Sequence, residues 1–391
     1  MHPNIDSYIF NFIKHIAIDM YKIILLIFSI FYCFIFWVYA KPVQGLWIVR
    51  YALTDKNEID NIITTAKSLN ITDLYVQVRA LGQTYGLDEI KGGNTPFGLL
   101  IKKARHENIR IHAWLNVLYI WGSEIQPSND SHIFYRSANS ILRTIPDIDI
   151  PQYRNLKKQG IEGFFLEPFD DANILDIKGI ISELIQNYGV DGIHLDYLRY
   201  PSYEYSFSPN GRTKFFREYW FDPIIMFDIQ TDIFSINHVD KYKYFSNIYK
   251  NFLRQNITNL LIQLKQYIYQ FNSAVELSIA VKPNKEIAYE SYFQDWGSWL
   301  ANDICDHVVI MNYDTVMFNF ISNLNMALIN QYDSKVIVGI STYNQDFQAV
   351  YDRIVKIKNT KNGGFALFSY NYLKEHQSYL NNLRRVLINQ N

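Results

Sequence analysis

Carboxylates, cations and amides cluster where apolar runs of this chain stop, and that spacing supports proton-transfer chemistry. The sharpest instance is VDGIHLDYLRYP (190–201). Period-two alternation puts Ile193 and Leu195 in one layer and turns His194 and Asp196 the other way, with Arg199 and Tyr200 just beyond. Reading the ends of the other apolar runs gives Arg50, Arg79, Asn116, Lys282, Asp314, Thr342 and Ser369–Tyr370. Chance would scatter such groups over both ends. Asp196 reads either as a reactive carboxylate or as a buried partner of Arg79 or Arg199, and the similarly placed Asp314 favours the former.

These groups need a scaffold that brings many strand ends together. β-rich apolar segments at 45–52, 73–80, 110–120, 190–201, 276–284, 305–314, 335–342 and 363–372 alternate with segments of helical period. In the first helix Ile59, Ile62, Ile63 and Ala66 share a face, and Asp55 or Asn57 caps it. Later helices are expected near 97–107, 171–187, 250–271, 292–302, 318–331 and 346–357, with a last one ending about Ile388. Near-continuous apolar strands alternating with helices predict a parallel sheet covered on both faces. Eight such units in 391 residues predict a single α/β domain, a (β/α)8 TIM-type barrel. Long insertions follow the third strand (Trp121 to Gly163) and the fourth (Ser202 to about Tyr249). Barrels of this kind carry their chemistry at the carboxyl ends of the strands.

Ahead of the barrel, IILLIFSIFYCFIFWVYA (23–40) is uncharged, follows Lys22 and ends on Val38-Tyr39-Ala40. That is the pattern of a secretory signal peptide, or of a membrane anchor at the lower limit of length, within residues 1–40. Met20 offers an alternative start. Residues 41–391 are then expected on the exported side, in the periplasm or cell envelope. Removal of Cys33 with that segment leaves Cys305 alone, which excludes a disulfide framework. A formal charge of −1 gives no basic excess for nucleic acid. His106, His112, His132, His194 and His307 show no metal-ligand spacing and no glycine-rich phosphate loop follows the first strand, so no metal or cofactor is expected.

From Gly45 to about Tyr370 the chain resembles the bacterial glycosyl hydrolase-like 10 family. The resemblance rests on GLWIVRYALT, TDLYVQVRA, IRIHAWLNVLYIW, Ser131-His132-Ile133, FFLEP, YGVDGIHLDYLRYP, AVKP, YFQDWGSWL and VVIMNY, in that order. It implies a barrel, an exported setting and cleavage of peptidoglycan glycan strands, peptide-free chains containing N-acetylhexosamine. One position departs from the family pattern: Glu167 stands before Pro168 where the family has Asp. A more distant similarity is to family 18 chitinases, through Asp191-Gly192-Ile193-His194-Leu195-Asp196 and Met311-Asn312-Tyr313-Asp314. It implies that Asp196 orients a substrate acetamido group with help from Tyr313 and Asp314. The chitinase acid is missing, because Leu198 occupies its place.

Glycoside hydrolysis uses two carboxyl groups, about 5–5.5 Å apart for retention and wider for inversion. Asp196 is expected as nucleophile or acetamido-orienting group. The acid is sought among Glu167, Asp314 and Glu204. Glu167 leads because Phe164, Phe165, Leu166 and Phe169 would raise its pKa, although it could equally cap the helix near Asp170. Arg79, Asn116, His194, Arg199, Lys282 and Tyr313 are the expected substrate-binding residues. The 30 Tyr, 26 Phe and 7 Trp either stack on sugar rings or reflect a compositional bias. In the insertions Tyr119, Trp121, Tyr203, Tyr205, Phe207 and Trp220 are the candidates for stacking. Two alternatives to a hydrolase stand: a glycan-binding barrel that has lost its acid, and a metal-dependent deacetylase, the latter weakened by the absence of a His/Asp metal pattern.

Overall fold

The eight apolar runs form strands β1 (Val43–Ile48), β2 (Asp73–Ala80), β3 (Arg110–Asn116), β4 (Gly192–Asp196), β5 (Glu276–Val281), β6 (His307–Met311), β7 (Val336–Ser341) and β8 (Gly364–Phe368). In the computed structural model each strand pairs in parallel with its sequence neighbours, and β8 pairs with β1. The sheet is therefore closed: a (β/α)8 barrel, as the alternation predicts. The structure describes residues 19–29, 42–87, 95–144, 149–225, 236–328 and 331–388.

Helices return the chain between strands: α1 (Lys56–Ser68), α2 (Pro96–His106), α3 (Asp171–Glu183), α4 (Pro209–Tyr219), α5 (Ile236–Phe271), α6 (Trp296–Ala301), α7 (Met317–Ala327), α8 (Phe347–Lys358) and α9 (Gln377–Ile388). Asp55 caps α1 by accepting from the backbone N–H of Asn57 and Glu58. Helix α5 begins fourteen residues before the expected Lys250 boundary. Its early turns expose Lys241, Lys243 and Tyr244, so the buried face there is too narrow to show an apolar period.

Two apolar layers hold the barrel. The outer one fills the space between strands and helices, and Trp299 in it also donates its indole N–H to Thr258 Oγ1 at 2.9 Å. The inner one is built from Trp47, Tyr75, Trp114, Val309, Ile337 and Ala366. The two insertions meet where Arg143–Thr144 pairs antiparallel with Tyr205–Phe207, and Tyr119–Trp121 pairs with Phe164–Phe165 across the base of the first. Tyr205 and Phe207 are buried by this, so they serve the core rather than a sugar platform.

Residues Met1–Pro42 form a unit separate from the barrel. Within it residues 19–29 are helical with exposed side chains. The remainder of the apolar segment, with Cys33 and Val38-Tyr39-Ala40, lies outside the described residues. Among the described residues no helix is long and apolar enough to cross a membrane. Cys305 is buried, and desolvation pushes its thiol up to about 12, leaving it a small inert side chain.

Candidate active site

Strand β4 ends on Asp196, and the next residue, Tyr197, takes a left-handed conformation (φ 53°). Such a backbone costs about 1–3 kcal/mol in a non-glycine residue and survives where the surroundings enforce it. Here it directs the Tyr197 N–H onto Asp196 Oδ1 at 2.7 Å. Asp196 is 8% exposed. Desolvation raises its pKa to about 6, against the opposing pull of that N–H, Arg199, Trp114 and Lys282. The Trp114 indole N–H approaches the carboxylate but falls outside hydrogen-bond geometry, so this buried donor has no partner among the described residues.

Two adjoining hollows open on Asp196 at the carboxyl ends of the strands. The first, about 510 Å³, is lined by Trp47, Gln77, Trp114, Asn116 and Tyr313 among others. The second, about 500 Å³, is lined by Glu162, Arg199, Lys282, Tyr313 and Asp314. Asp196, Tyr197, Met311 and Tyr313 belong to both. Six residues expected from the sequence thus converge: Asp196, Asp314, Asn116, Arg199, Lys282 and Tyr313. Tyr313 stacks on Phe368 at 5.7 Å between centroids, which fixes its ring as a wall. Asp314 accepts from the Val316 N–H at 2.8 Å.

Four expected residues lie elsewhere. Arg79 is buried away from the hollows and donates to the Asn116 carbonyl and, at 2.8 Å, to Asn173 Oδ1. The strand register shifts between Gln77 and Arg79, which takes Arg79 off the inward face that Tyr75 and Gln77 share, and Gln77 lines the first hollow. His194 points inward as expected but sits deeper, its Nδ1 2.8 Å from Ser278 Oγ. Glu167 is only 1% exposed and lines neither hollow. Tyr200 and Ser208 donate to its two oxygens at 2.7 and 2.8 Å, tying the two insertions together. Glu204 lines a third hollow with Tyr203 and Tyr292, apart from Asp196.

Glu167 nonetheless has a testable signature. Desolvation outweighs its two hydrogen bonds and raises its pKa to about 8. A carboxyl whose folded pKa lies above its unfolded value stabilises the fold below the latter and loses that contribution as pH rises. The wild-type melting temperature should therefore fall between about pH 4.5 and 8 by more than that of Glu167→Gln, whose side chain stays neutral. The variant should keep its kcat. Loss of turnover with an intact fold would return Glu167 to the catalytic set.

Glu162 was not singled out from the sequence. It lies between Gly160 and Gly163 in an irregular segment with no periodicity to mark it. Burial favours its neutral form, but Arg199, whose Nη2 lies 2.6 Å from Oε1, outweighs this and leaves the pKa below the usual value. Arg199 is also held over the rings of Tyr197 and Tyr292, each 5.1 Å from its Cζ. Lys282, with Nζ 4.5 Å from the Tyr292 centroid, is pushed down to about 8 by desolvation and then by Arg199. The second hollow thus holds one carboxyl pushed up, one pulled down and two cations.

A closed parallel barrel with a polar cleft at its strand ends defines the chain as a TIM-type barrel of the kind that hosts enzymes. Residues 42–344 match the Glycosyl hydrolase-like 10 family, and the chain belongs to it. Among solved structures it is similar to α-L-fucosidase isoenzyme 2 from Paenibacillus thiaminolyticus, with a TM-score of 0.51 at 7% identity over 84% of this chain. The match covers 46% of the fucosidase, so this chain spans under half of that protein. Looser overlaps are found with the spore cortex-lytic enzyme SleL of Bacillus cereus (TM-score 0.48, 12% identity, 89% of this chain and 73% of that one). The group IV chitinase of Ostrinia furnacalis gives a TM-score of 0.49 at 12% identity, over 89% of this chain and 100% of that one. No protein of curated function matches the sequence.

Proposed function

We propose that the protein hydrolyses the glycan strands of bacterial peptidoglycan, acting on peptide-free chains of N-acetylhexosamines. The observation that carries the reading is the pair of carboxyls with opposed pKa shifts, Asp196 and Glu162, lining one hollow. Opposed shifts are how one site runs acid and base chemistry together. Asp196 donates its proton to the leaving glycosidic oxygen as the bond to the anomeric carbon breaks. Water attacks that carbon, and Glu162, kept charged by Arg199, takes the water's proton. Leu198, at the position of the chitinase acid, is fully buried and plays no part. The unpartnered Trp114 N–H and the amides of Gln77 and Asn116 supply donors for an acetamido carbonyl and sugar hydroxyls. Arg199 and Lys282 favour a sugar whose lactyl group is a free carboxylate, a charge that is lost when a stem peptide is amide-linked there.

This substrate lies outside the cytoplasmic membrane, so the reading requires export, and we assign that to the apolar segment 23–40 as signal or anchor. The test is incubation of the full-length chain, in mild detergent, with peptidoglycan strands stripped of peptides and with intact sacculi, followed by mass spectrometry. Short saccharides are expected, faster from the stripped strands. Turnover should fall as pH rises past about 6, as Asp196 loses its proton. Strands bound without release of product would overturn the hydrolase reading in favour of a glycan-binding barrel.

A further inference from the structure

At the amino-terminal end of the barrel, away from the hollows, His112 on β3, Glu276 on β5 and His307 on β6 converge. One ligand-capable atom from each lies within 4.8 Å of the other two. How the remaining atoms are used makes this more than a polar cluster. His112 Nε2 is 2.9 Å from Asp73 Oδ1, and its Nδ1 is buried with no hydrogen-bond partner among the described residues. His307 Nε2 is 3.3 Å from the Tyr75 hydroxyl. Its Nδ1 stands 3.7 Å from Glu276 Oε2, too far for a hydrogen bond. The other Glu276 oxygen is held by Arg110 at 2.5 Å. Each imidazole is thus oriented through one nitrogen while the other is left without a hydrogen bond, the arrangement found behind metal-bound histidines.

Strand β4 makes way for the His112 ring. His112 is paired in register with Gly192, and Gly192 with Glu276. A Cβ on Gly192 would collide with His112 Nδ1 and come within 3.1 Å of the Glu276 carbonyl oxygen, so glycine is needed there for the His112 ring to lie between the strands. Charge favours a cation: Asp73 and Glu276 face the single guanidinium of Arg110. Zinc–nitrogen and zinc–oxygen bonds of about 2.0–2.2 Å place tetrahedral ligand atoms roughly 3.4 Å apart. The Nδ1–Oε2 gap of 3.7 Å is close to that edge. Glu276, with 33% of its side chain exposed, gives the ion a route from solvent.

We propose that His112, Glu276 and His307 bind one divalent transition-metal ion of the zinc class, which ties β3, β5 and β6 together at the barrel floor. The sequence hides such a site because its ligands are spread over three strands.

The test strips the full-length chain with chelator, removes the chelator, and titrates zinc chloride by calorimetry and thermal melting. One equivalent should bind and raise Tm, and cobalt(II) should give the visible absorption of a low-coordinate site. Glu276→Gln and His307→Asn should each weaken binding at least ~10-fold and lose the rise in Tm. Absence of stoichiometric binding by the wild type overturns the proposal even if a variant fails to fold. Binding equally tight in a folded Glu276→Gln chain also overturns it.

Discussion

Asp196→Asn lowers kcat on peptide-free glycan strands by about 10²–10⁴-fold, the range a positioned proton donor contributes, with little change in KM. The amide keeps the shape of the carboxyl and can still accept the Tyr197 N–H, so the fold and the bound sugar are retained. What is lost is the transferable proton. Because burial holds Asp196 at about 6, the alkaline limb of the wild-type pH profile should lie near that value. Glu162→Gln is expected to cost as much and to remove the acid limb, which Arg199 holds below the usual carboxylate range. The two losses should not add, since each variant disables the same step. If Asp196→Asn is inactive and Glu162→Gln is not, the base moves to Asp314, the other carboxylate lining the second hollow. If neither variant loses turnover, the proposed pair is wrong.

The residues that were legible in the sequence share one property: regular alternation carries them to the cleft. Along β4 the period of two runs unbroken from Ile193 to Asp196, so reading the strand end was enough to place Asp196. The same holds for Asn116 at the end of β3 and for Lys282, which directly follows β5. On β2 a register shift breaks the period after Gln77, so Gln77 keeps the inward face that Arg79 would share in a regular strand. Glu167 lies outside both hollows for a different reason. Burial among its apolar flanks raises its pKa, but its place relative to Asp196 depends on how two insertions fold together, through Arg143–Thr144 and Tyr205–Phe207. That pairing spans about sixty residues of sequence and leaves no local pattern. Glu162 is set by the same insertion and acquires its role only through Arg199, a partner on the far side of α3 in sequence. Local periodicity therefore determined the scaffold and its strand ends. Contacts between insertions determined which carboxylates share the cleft.

Gly364→Ala is expected to have the largest effect on stability, because it strikes the seam where the barrel closes. Strands β8 and β1 are the last and first of the sheet, and Gly364 pairs with Val43 at the start of that seam. Its φ of +126° lies where side chains are rarely accommodated. A Cβ there would press into the Val43 carbonyl oxygen and stand 2.5 Å from Val43 N. These neighbours are backbone atoms already committed to the sheet; Val43 N donates to the Gly363 carbonyl at 2.7 Å. Relief therefore requires β1 and β8 to part, which exposes Trp47, Ala366 and the rest of the inner layer they cover. Strained backbone and a broken buried network together lie in the range above about 4 kcal/mol, large against the roughly 5–15 kcal/mol that holds a typical domain together. The variant should be insoluble or should unfold well below the wild type in a thermal melt followed by circular dichroism. Gly179→Ala is the matched control, on α3 with nothing within 4 Å of its Cβ, and should melt at or above the wild type. A Gly364→Ala chain that melts with the wild type would mean that β1 and β8 do not close the sheet at this register.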